Sequence, residues 1–423
     1  MSGTDEPGIA AAPEAEPGLG VTRRRVLAVG GSLVAATLAG TALWRAKGEP
    51  RAVADPDAAV QALLDRRSAA VLARDAAALR GTSLASAAEQ DTALLRNLAE
   101  VPLASWHWRL VSTGAFPLPA AVGSRRRIAA TLELAYRLRG FDAAPVTARA
   151  YAVLEQTAAG WRWGGRPDSP AGDTLLWDLG PAGAAAGRQA LVLGLQRTPS
   201  ELAALAAEAD RAVAAVSALW GRAWGQRTVV LAPLALDQFA SLLGTSPAAV
   251  SALAAVTTGE LGAADARRTE RITLNPQVWD GLNALGRSAV LTHETTHVAT
   301  RTQTQSWTPR WLSEGVAEWT AYRATGRTPR QLAPELAESA ATVPSSLPAD
   351  ADFDATATDL PVAYQRSWMA CRTLVHRWGE PALVAFYAAV SRTDLDRACA
   401  DILRTTPQAF ADLCHQDLLA AFR

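Results

Sequence analysis

The chain has 423 residues, 14 tryptophans and a hydrophobic fraction of 49%, which is enough apolar material for folded domains and excludes a wholly disordered protein. Its 41 basic and 41 acidic side chains cancel to a net charge of zero. This balance indicates neither a nucleic-acid-binding protein nor one held electrostatically at a membrane surface. The length favours two domains.

The N-terminus has the features of a membrane anchor. Residues 1–21, rich in Gly, Pro, Ala and acidic side chains, are predicted to be a disordered cytoplasmic tail. Residues 26–44 carry no charge and are long enough to cross a bilayer, the alternative being a buried core helix. Three arginines precede this stretch and keep its N-terminal side cytoplasmic. The segment also resembles a twin-arginine signal, but no A-x-A cleavage site follows, so residues 22–46 are predicted to be an uncleaved signal anchor.

Residues 55–171 predict an α+β unit behind the anchor. Residues 57–79 have apolar side chains at helical spacing, and alternating stretches typical of strands follow. One of them, "TLELAYRLRG", is predicted to place Leu132, Leu134, Tyr136 and Leu138 on one face, and "TARAYAVLEQTAAGWRW" predicts a hairpin that turns at residues 158–160. This order of elements resembles the cone-shaped nuclear-transport-factor-like fold. Such folds often have a pocket, but no convergent set of polar side chains indicates one in this sequence.

Residues 172–188, "GDTLLWDLGPAGAAAGR", are rich in Gly and Ala and are predicted to be a linker. The residues from 188 to 423 then predict a mostly helical domain with a small sheet. The segment "RITLNP", residues 271–276, is predicted to be a short strand of that sheet. It is interpreted as the edge strand against which an extended peptide pairs, or alternatively as plain sheet core.

Two of the five histidines lie in "VLTHETTH", residues 290–297. Residues four apart share one face of a helix, so His293 and His297 are able to direct ring nitrogens at one metal ion. Glu294 lies about 100° around the helix, a direction that suits a general base better than a third ligand. H-E-x-x-H is the spacing of zinc hydrolases, and the alternative is a helix that carries two histidines by chance.

A second helix, beginning near Pro309, is predicted from "TPRWLSEGVAEW", residues 308–319. Catalytic zinc takes two imidazoles and a carboxylate and keeps one position open, so Glu314 is predicted to be the third ligand. Glu318, one turn further on, is placed to accept the outer N–H of a ligating histidine. Gly315 has no side chain and allows close approach of a neighbour. In the alternative, both glutamates lie on an exposed helix face.

Together, "LTHETTH" and "PRWLSEGVAEW" resemble the gluzincin zinc metallopeptidases and are most similar to the peptidase MA-like family, whose pattern is HExxH followed by W-L-S-E-G-x-A-E. The resemblance covers residues 226–423 and implies a thermolysin-like domain. Its implied ligands of Zn2+ are His293, His297 and Glu314, and Glu294 is the implied general base.

Gluzincins usually supply an oxyanion donor from a later helix. Tyr364, in "AYQRSW", is the candidate for this role and His376 is the reserve. The alternative for Tyr364 is a buried aromatic residue whose hydroxyl meets a backbone carbonyl. No G-A-M-E-N-like segment, which holds the substrate amine in related aminopeptidases, is present, so the resemblance favours an endopeptidase.

The sequence thus predicts a membrane-anchored α+β protein, located outside the cytoplasm, that hydrolyses peptide or protein substrates with Zn2+ and has no nucleic-acid partner. Two alternatives remain open: an anchored binding or scaffold protein that keeps the zinc-peptidase fold, and a zinc hydrolase of a non-peptide amide such as a cell-wall component. The three cysteines allow one disulfide, with one thiol left over, and lack the C-x-x-C spacing of zinc-thiolate sites; they are Cys371, Cys399 and Cys414.

Overall fold

The computed structural model describes residues 57–118, 125–258, 270–354 and 357–423. The predicted tail and anchor, residues 1–46, lie outside these ranges. Among the helices within the ranges, none is both long enough and apolar enough to cross a bilayer.

The N-terminal part packs three helices against four strands. These elements are α1 (Asp57–Leu72), α2 (Ala76–Arg80), α3 (Ala88–Asn97), β1 (Leu103–Thr113), β2 (Arg127–Leu138), β3 (Val146–Thr157) and β4 (Gly160–Gly165). The strands form an antiparallel sheet in chain order, β1-β2-β3-β4. The predicted hairpin is present, because Thr157 pairs with Gly160 across the turn that joins β3 and β4.

Aromatic side chains fill the interior of this part. The face of β2 predicted to be apolar is buried, and its Tyr136 ring lies edge-on to Trp177 with centroids 5.0 Å apart. Trp106 packs against both rings. Arg67 is buried here with its guanidinium 4.3 Å from the Trp163 ring centroid, and it pairs with Asp91 at 2.6 Å.

The C-terminal part surrounds a five-stranded sheet with helices. Its strands are β5 (Ala182–Ala186), β6 (Ala190–Leu195), β7 (Thr228–Ala232), β8 (Ala255–Thr258) and β9 (Arg271–Leu274). Its helices are α4 (Pro199–Trp220), α5 (Leu236–Leu242), α6 (Pro247–Val250), α7 (Pro276–Trp279), α8 (Ala284–Thr300), α9 (Arg310–Tyr322), α10 (Pro329–Leu332), α11 (Pro334–Ser339), α12 (Leu360–Trp378), α13 (Glu380–Val390), α14 (Leu395–Ala398) and α15 (Pro407–Phe422).

The order of strands in this sheet is β5-β6-β7-β9-β8. Strand β9 pairs in parallel with β7 on one side and antiparallel with β8 on the other. Of the two interpretations of "RITLNP", the sheet edge is therefore wrong and the sheet core is confirmed, and the edge beside it is β8. All four residues of β9 are buried, which agrees with an internal strand covered on both faces.

Residues 172–188 are not a linker. They contain a buried turn with Trp177 and the whole of strand β5, which pairs antiparallel with β6. Small residues serve packing here: a side chain at Gly183 would meet Leu202 of α4 at 3.0 Å. The Gly and Ala content that predicts a flexible connection thus reflects the close approach of a helix to the sheet.

The two parts share one hydrophobic core. Leu191, Leu193 and Val229 of the five-stranded sheet belong to the same buried cluster as the interior of the N-terminal part. A buried ion pair reinforces the contact, because both terminal nitrogens of Arg271 donate to the carboxylate of Asp142, at 2.8 and 2.9 Å. The N-terminal part therefore covers one face of the second sheet.

The disulfide that the cysteine count allows is not formed. All three cysteines lie within the described ranges and are free thiols buried among the C-terminal helices. Burial raises the pKa of Cys371 well above its ordinary value, which keeps the thiol protonated.

Candidate metal centre

The H-E-x-x-H segment lies in the buried second half of α8. Asn283 caps the helix, and its side chain accepts a hydrogen bond from the Gly286 N–H at 2.9 Å. The side chains from Ala289 to Thr296 are all buried. The hydroxyls of Thr296 and Thr300 donate to the carbonyls four residues back, which satisfies their polar groups within the helix. A buried threonine-rich helix thus presents its histidines from a rigid support.

Three side chains from two helices converge at one point. The Nε2 atoms of His293 and His297 lie 3.0 Å apart, and Glu314 Oε2 of α9 lies 3.2 Å from the first and 3.5 Å from the second. Within the described residues this is the one group of His, Cys, Asp and Glu side chains whose ligand atoms are close enough to hold a metal ion together.

The donor atoms fit zinc. Three ligands at about 2.0–2.2 Å from a tetrahedral ion stand roughly 3.4 Å from one another, close to the separations found here. Glu314 Oε2 is buried and accepts no hydrogen bond from the described residues, so it is an acceptor that a cation would satisfy. Glu318 Oε1 lies 3.0 Å from His293 Nδ1. Its carboxylate fixes the proton on Nδ1 and leaves the Nε2 lone pair for an ion.

The charges of the cluster are strongly coupled in the metal-free chain. Burial disfavours the His293 imidazolium, but the carboxylates of Glu314 and Glu318 outweigh burial and raise the pKa of His293 to about 10. Burial likewise disfavours the Glu314 carboxylate, yet the neighbouring imidazoles of His297 and His293 lower its pKa to about 2. The carboxylates of the cluster therefore favour a positive charge next to them, which is what a site for a cation requires.

Glu294 is completely buried beside the cluster. Its Oε2 accepts a hydrogen bond of 2.6 Å from the hydroxyl of Thr257 on β8, while its Oε1 has no partner among the described residues. Sequence reasoning missed Thr257 together with its strand. The only signal was the short apolar run that ends in two threonines, residues 254–258, which is weak because four residues show no period.

Gly315 sets the distance between α9 and α12, and not the distance between α9 and the histidine helix α8. A Cβ at this position would lie 2.6 Å from the Ser367 carbonyl oxygen and 2.8 Å from Cys371 Sγ, both on α12. The absence of a side chain thus brings α9 against α12. Helix α9 begins at Arg310, one residue after the predicted start.

Of the two oxyanion-donor candidates, one lies beside the cluster. The ring of Tyr364 on α12 is buried, 6.4 Å from the ring of His293 and 5.4 Å from that of Phe353, measured between centroids. His376 lies three turns further along α12 with its side chain exposed. Its environment is set by Arg372 and Asp417, so it is remote from the three candidate ligands.

No family model matches this chain, and no curated protein matches it. Among solved structures, it is similar to a mutant of a two-domain M1 zinc metallopeptidase bound to L-arginine, with 17% sequence identity and a TM-score of 0.33. The match covers 56% of this chain and 51% of the other, so the chain spans about half the length of that structure. This weak, partial likeness to a peptidase fold says nothing of the chemistry of the present chain.

Proposed function

We propose that the protein is a zinc metallopeptidase that hydrolyses internal peptide bonds. The observation that carries the proposal is the convergence of His293, His297 and Glu314 on one buried point, beside a glutamate with an unpaired carboxylate oxygen. Two imidazoles and one carboxylate are the ligand set of catalytic zinc, which keeps a fourth position for water. The resemblance of both motifs to the gluzincin pattern supports the same class.

Each residue then has a defined task. The three ligands hold the ion, and Glu318 keeps His293 in the tautomer that offers Nε2. When bound, zinc lowers the pKa of a water molecule in its open position and polarises the substrate carbonyl. Glu294 would accept a proton from the attacking water at Oε1 and pass it to the leaving amine, as the water oxygen bonds to the carbonyl carbon and the C–N bond breaks. Tyr364 donates from its hydroxyl to the carbonyl oxygen as negative charge develops there.

The test compares metal content with turnover in three variants. Purified protein lacking residues 1–46 is expected to bind one zinc per chain and to cleave unfolded protein substrates, with activity lost to a chelator. His293→Ala is expected to lose the metal. Glu294→Gln is expected to keep the metal and lose turnover at least about 100-fold. Glu338→Gln, at an exposed helix position, is the matched control and should behave as the parent.

Parental activity in Glu294→Gln would contradict the assigned mechanism. A second candidate function is a zinc-retaining binding or scaffold protein, which the complete burial of Glu294 favours. It predicts bound zinc without cleavage of any substrate in the screen. Inclusion of cell-wall fragments tests the third possibility, hydrolysis of a non-peptide amide.

We also propose that residues 22–46 anchor the protein in the cell membrane with the metal centre outside the cytoplasm. The charge-free stretch and the preceding arginines support this topology. The full-length chain is expected to resist carbonate extraction from membranes and to be digested by protease added from outside. Release into the soluble fraction by carbonate would contradict the anchor.

A further inference from the structure

Thr257 and Glu294 form a buried polar contact between the sheet edge and the histidine helix. The Thr257 side chain is 3% exposed and that of Glu294 is fully buried. The Thr257 hydroxyl lies 2.6 Å from Glu294 Oε2 and 3.2 Å from the Glu294 backbone oxygen. A hydroxyl has one proton to donate, and the shorter contact to the charged acceptor is the stronger of the two.

The contact divides the two carboxylate oxygens into different roles. Oε2 is held by Thr257, whereas Oε1 is buried without a hydrogen-bond partner among the described residues. An unsatisfied buried oxygen costs about as much as a lost hydrogen bond, so a fold selected only for stability would pair it or replace it. The unpaired oxygen belongs to the glutamate that directly follows His293 in the chain, and such an oxygen is the acceptor that proton abstraction requires.

We propose that Thr257 is the positioning residue of the catalytic base: its hydroxyl holds Glu294 by Oε2 so that Oε1 alone faces the reacting water. The inference rests on the proposed function, because it assigns Thr257 a task in that reaction. Thr257 itself touches neither substrate nor metal. It acts through the orientation of a carboxylate that would otherwise rotate about its last bond.

The first test needs neither metal nor substrate. In metal-free protein, Thr257→Val, a change that preserves shape, is expected to lower the midpoint of chemical denaturation because it removes the hydrogen bond of a buried carboxylate. In a Glu294→Met background, which preserves length but has no carboxylate, the same change is expected to have a clearly smaller effect. Equal shifts in the two backgrounds would overturn the inference.

The second test separates positioning from tethering in zinc-loaded protein. Thr257→Val is expected to lower kcat about 10- to 100-fold, with KM and zinc content unchanged, the range typical when a partner that orients a site residue is removed. Thr257→Ser, which keeps the hydroxyl, is expected to retain most of the activity. Thr228→Val is the matched control, since Thr228 is a buried threonine of the same sheet whose hydroxyl has no hydrogen-bond partner in the described residues.

The outcomes distinguish this inference from the proposed function. Parental kcat in Thr257→Val would overturn the positioning role and reduce the hydroxyl to a tether between β8 and α8. A parent protein that cleaves no substrate would instead overturn the proposed function. The comparison of denaturation midpoints would then still decide whether Thr257 holds the Glu294 carboxylate.

Discussion

At the scale of single residues, the site is defined by buried carboxylates with few hydrogen-bond donors. Glu314 Oε2 and Glu294 Oε1 are both buried and accept no hydrogen bond from the described residues. A buried oxygen without a donor costs roughly 1–3 kcal/mol of folding free energy, and for Glu314 the imidazoles at 3.2 and 3.5 Å offset part of that cost. A cation bound by Glu314 would offset part of this cost, so metal binding and stability are coupled here.

The partner of His293 is open to a direct test. Glu318→Gln is expected to weaken zinc binding about 10- to 100-fold, because a neutral amide holds the Nδ1 proton less strongly and lowers the basicity of Nε2. Competition for zinc against a chelator of known affinity measures the change. Glu338→Gln, an exposed glutamate-to-glutamine change, controls for the loss of one charge. Parental affinity in Glu318→Gln would show that the contact has no influence on the metal.

At the scale of elements, the metal centre depends on three helices. Helix α8 carries both histidines and α9 carries the carboxylate, but the position of α9 is set by its contact with α12 through Gly315. Helix α12 also brings Tyr364 beside His293. One contact between helices thus influences both the third ligand and the candidate oxyanion donor.

Gly315→Ala is therefore expected to destabilise the protein by about 1–3 kcal/mol, because the added Cβ would clash with the backbone oxygen of Ser367. The expected displacement of Glu314 should also weaken zinc binding. Chemical denaturation and zinc competition measure the two effects. Gly225→Ala is the control, since a Cβ there meets no atom within 4 Å, and it should be neutral or slightly stabilising. Unchanged stability in Gly315→Ala would show that α9 is free to move.

At the scale of the whole molecule, the two parts are packed against each other. They share a hydrophobic core, and the Asp142–Arg271 pair joins them at the first residue of β9. Strand β9 in turn pairs with β8, which carries Thr257. The N-terminal part thus supports the sheet edge beside the metal centre.

Asp142→Asn tests this connection. It is expected to cost about 3–5 kcal/mol of unfolding free energy, because it removes the carboxylate charge that accepts two hydrogen bonds from the buried Arg271. Asp401→Asn breaks an exposed ion pair with Arg397 and is expected to change stability by less than about 0.5 kcal/mol. Similar values for both variants, measured by chemical denaturation, would contradict a special role for the buried pair.

Separation of the two parts is expected to unfold the second. A fragment of residues 172–423 keeps the complete five-stranded sheet but exposes the apolar face that includes Leu191, Leu193 and Val229. It should bind hydrophobic dyes and lose the single cooperative unfolding transition expected of the longer chain. If the fragment instead unfolds in one cooperative transition at the same midpoint as protein that contains both parts, the N-terminal part contributes nothing to the stability of the second.

The sequence alone determined the local features of this protein. The four-residue spacing of His293 and His297 places them on one helix face wherever that helix lies, because helical periodicity is a local property. The apolar face of β2 and the hairpin after it were predicted for the same reason, since alternation and turn residues act over a few positions.

Only the tertiary structure decided which distant elements meet. It makes β8 rather than "RITLNP" the sheet edge and turns part of the predicted linker into a paired strand. It also brings Thr257 to Glu294 and sets Gly315 against α12. The Thr257 hydroxyl and Glu294 lie 37 positions apart in the chain. Such a contact depends on the packing of side chains from several elements at once. No local pattern encodes such packing, because burial and close approach are properties of the assembled core.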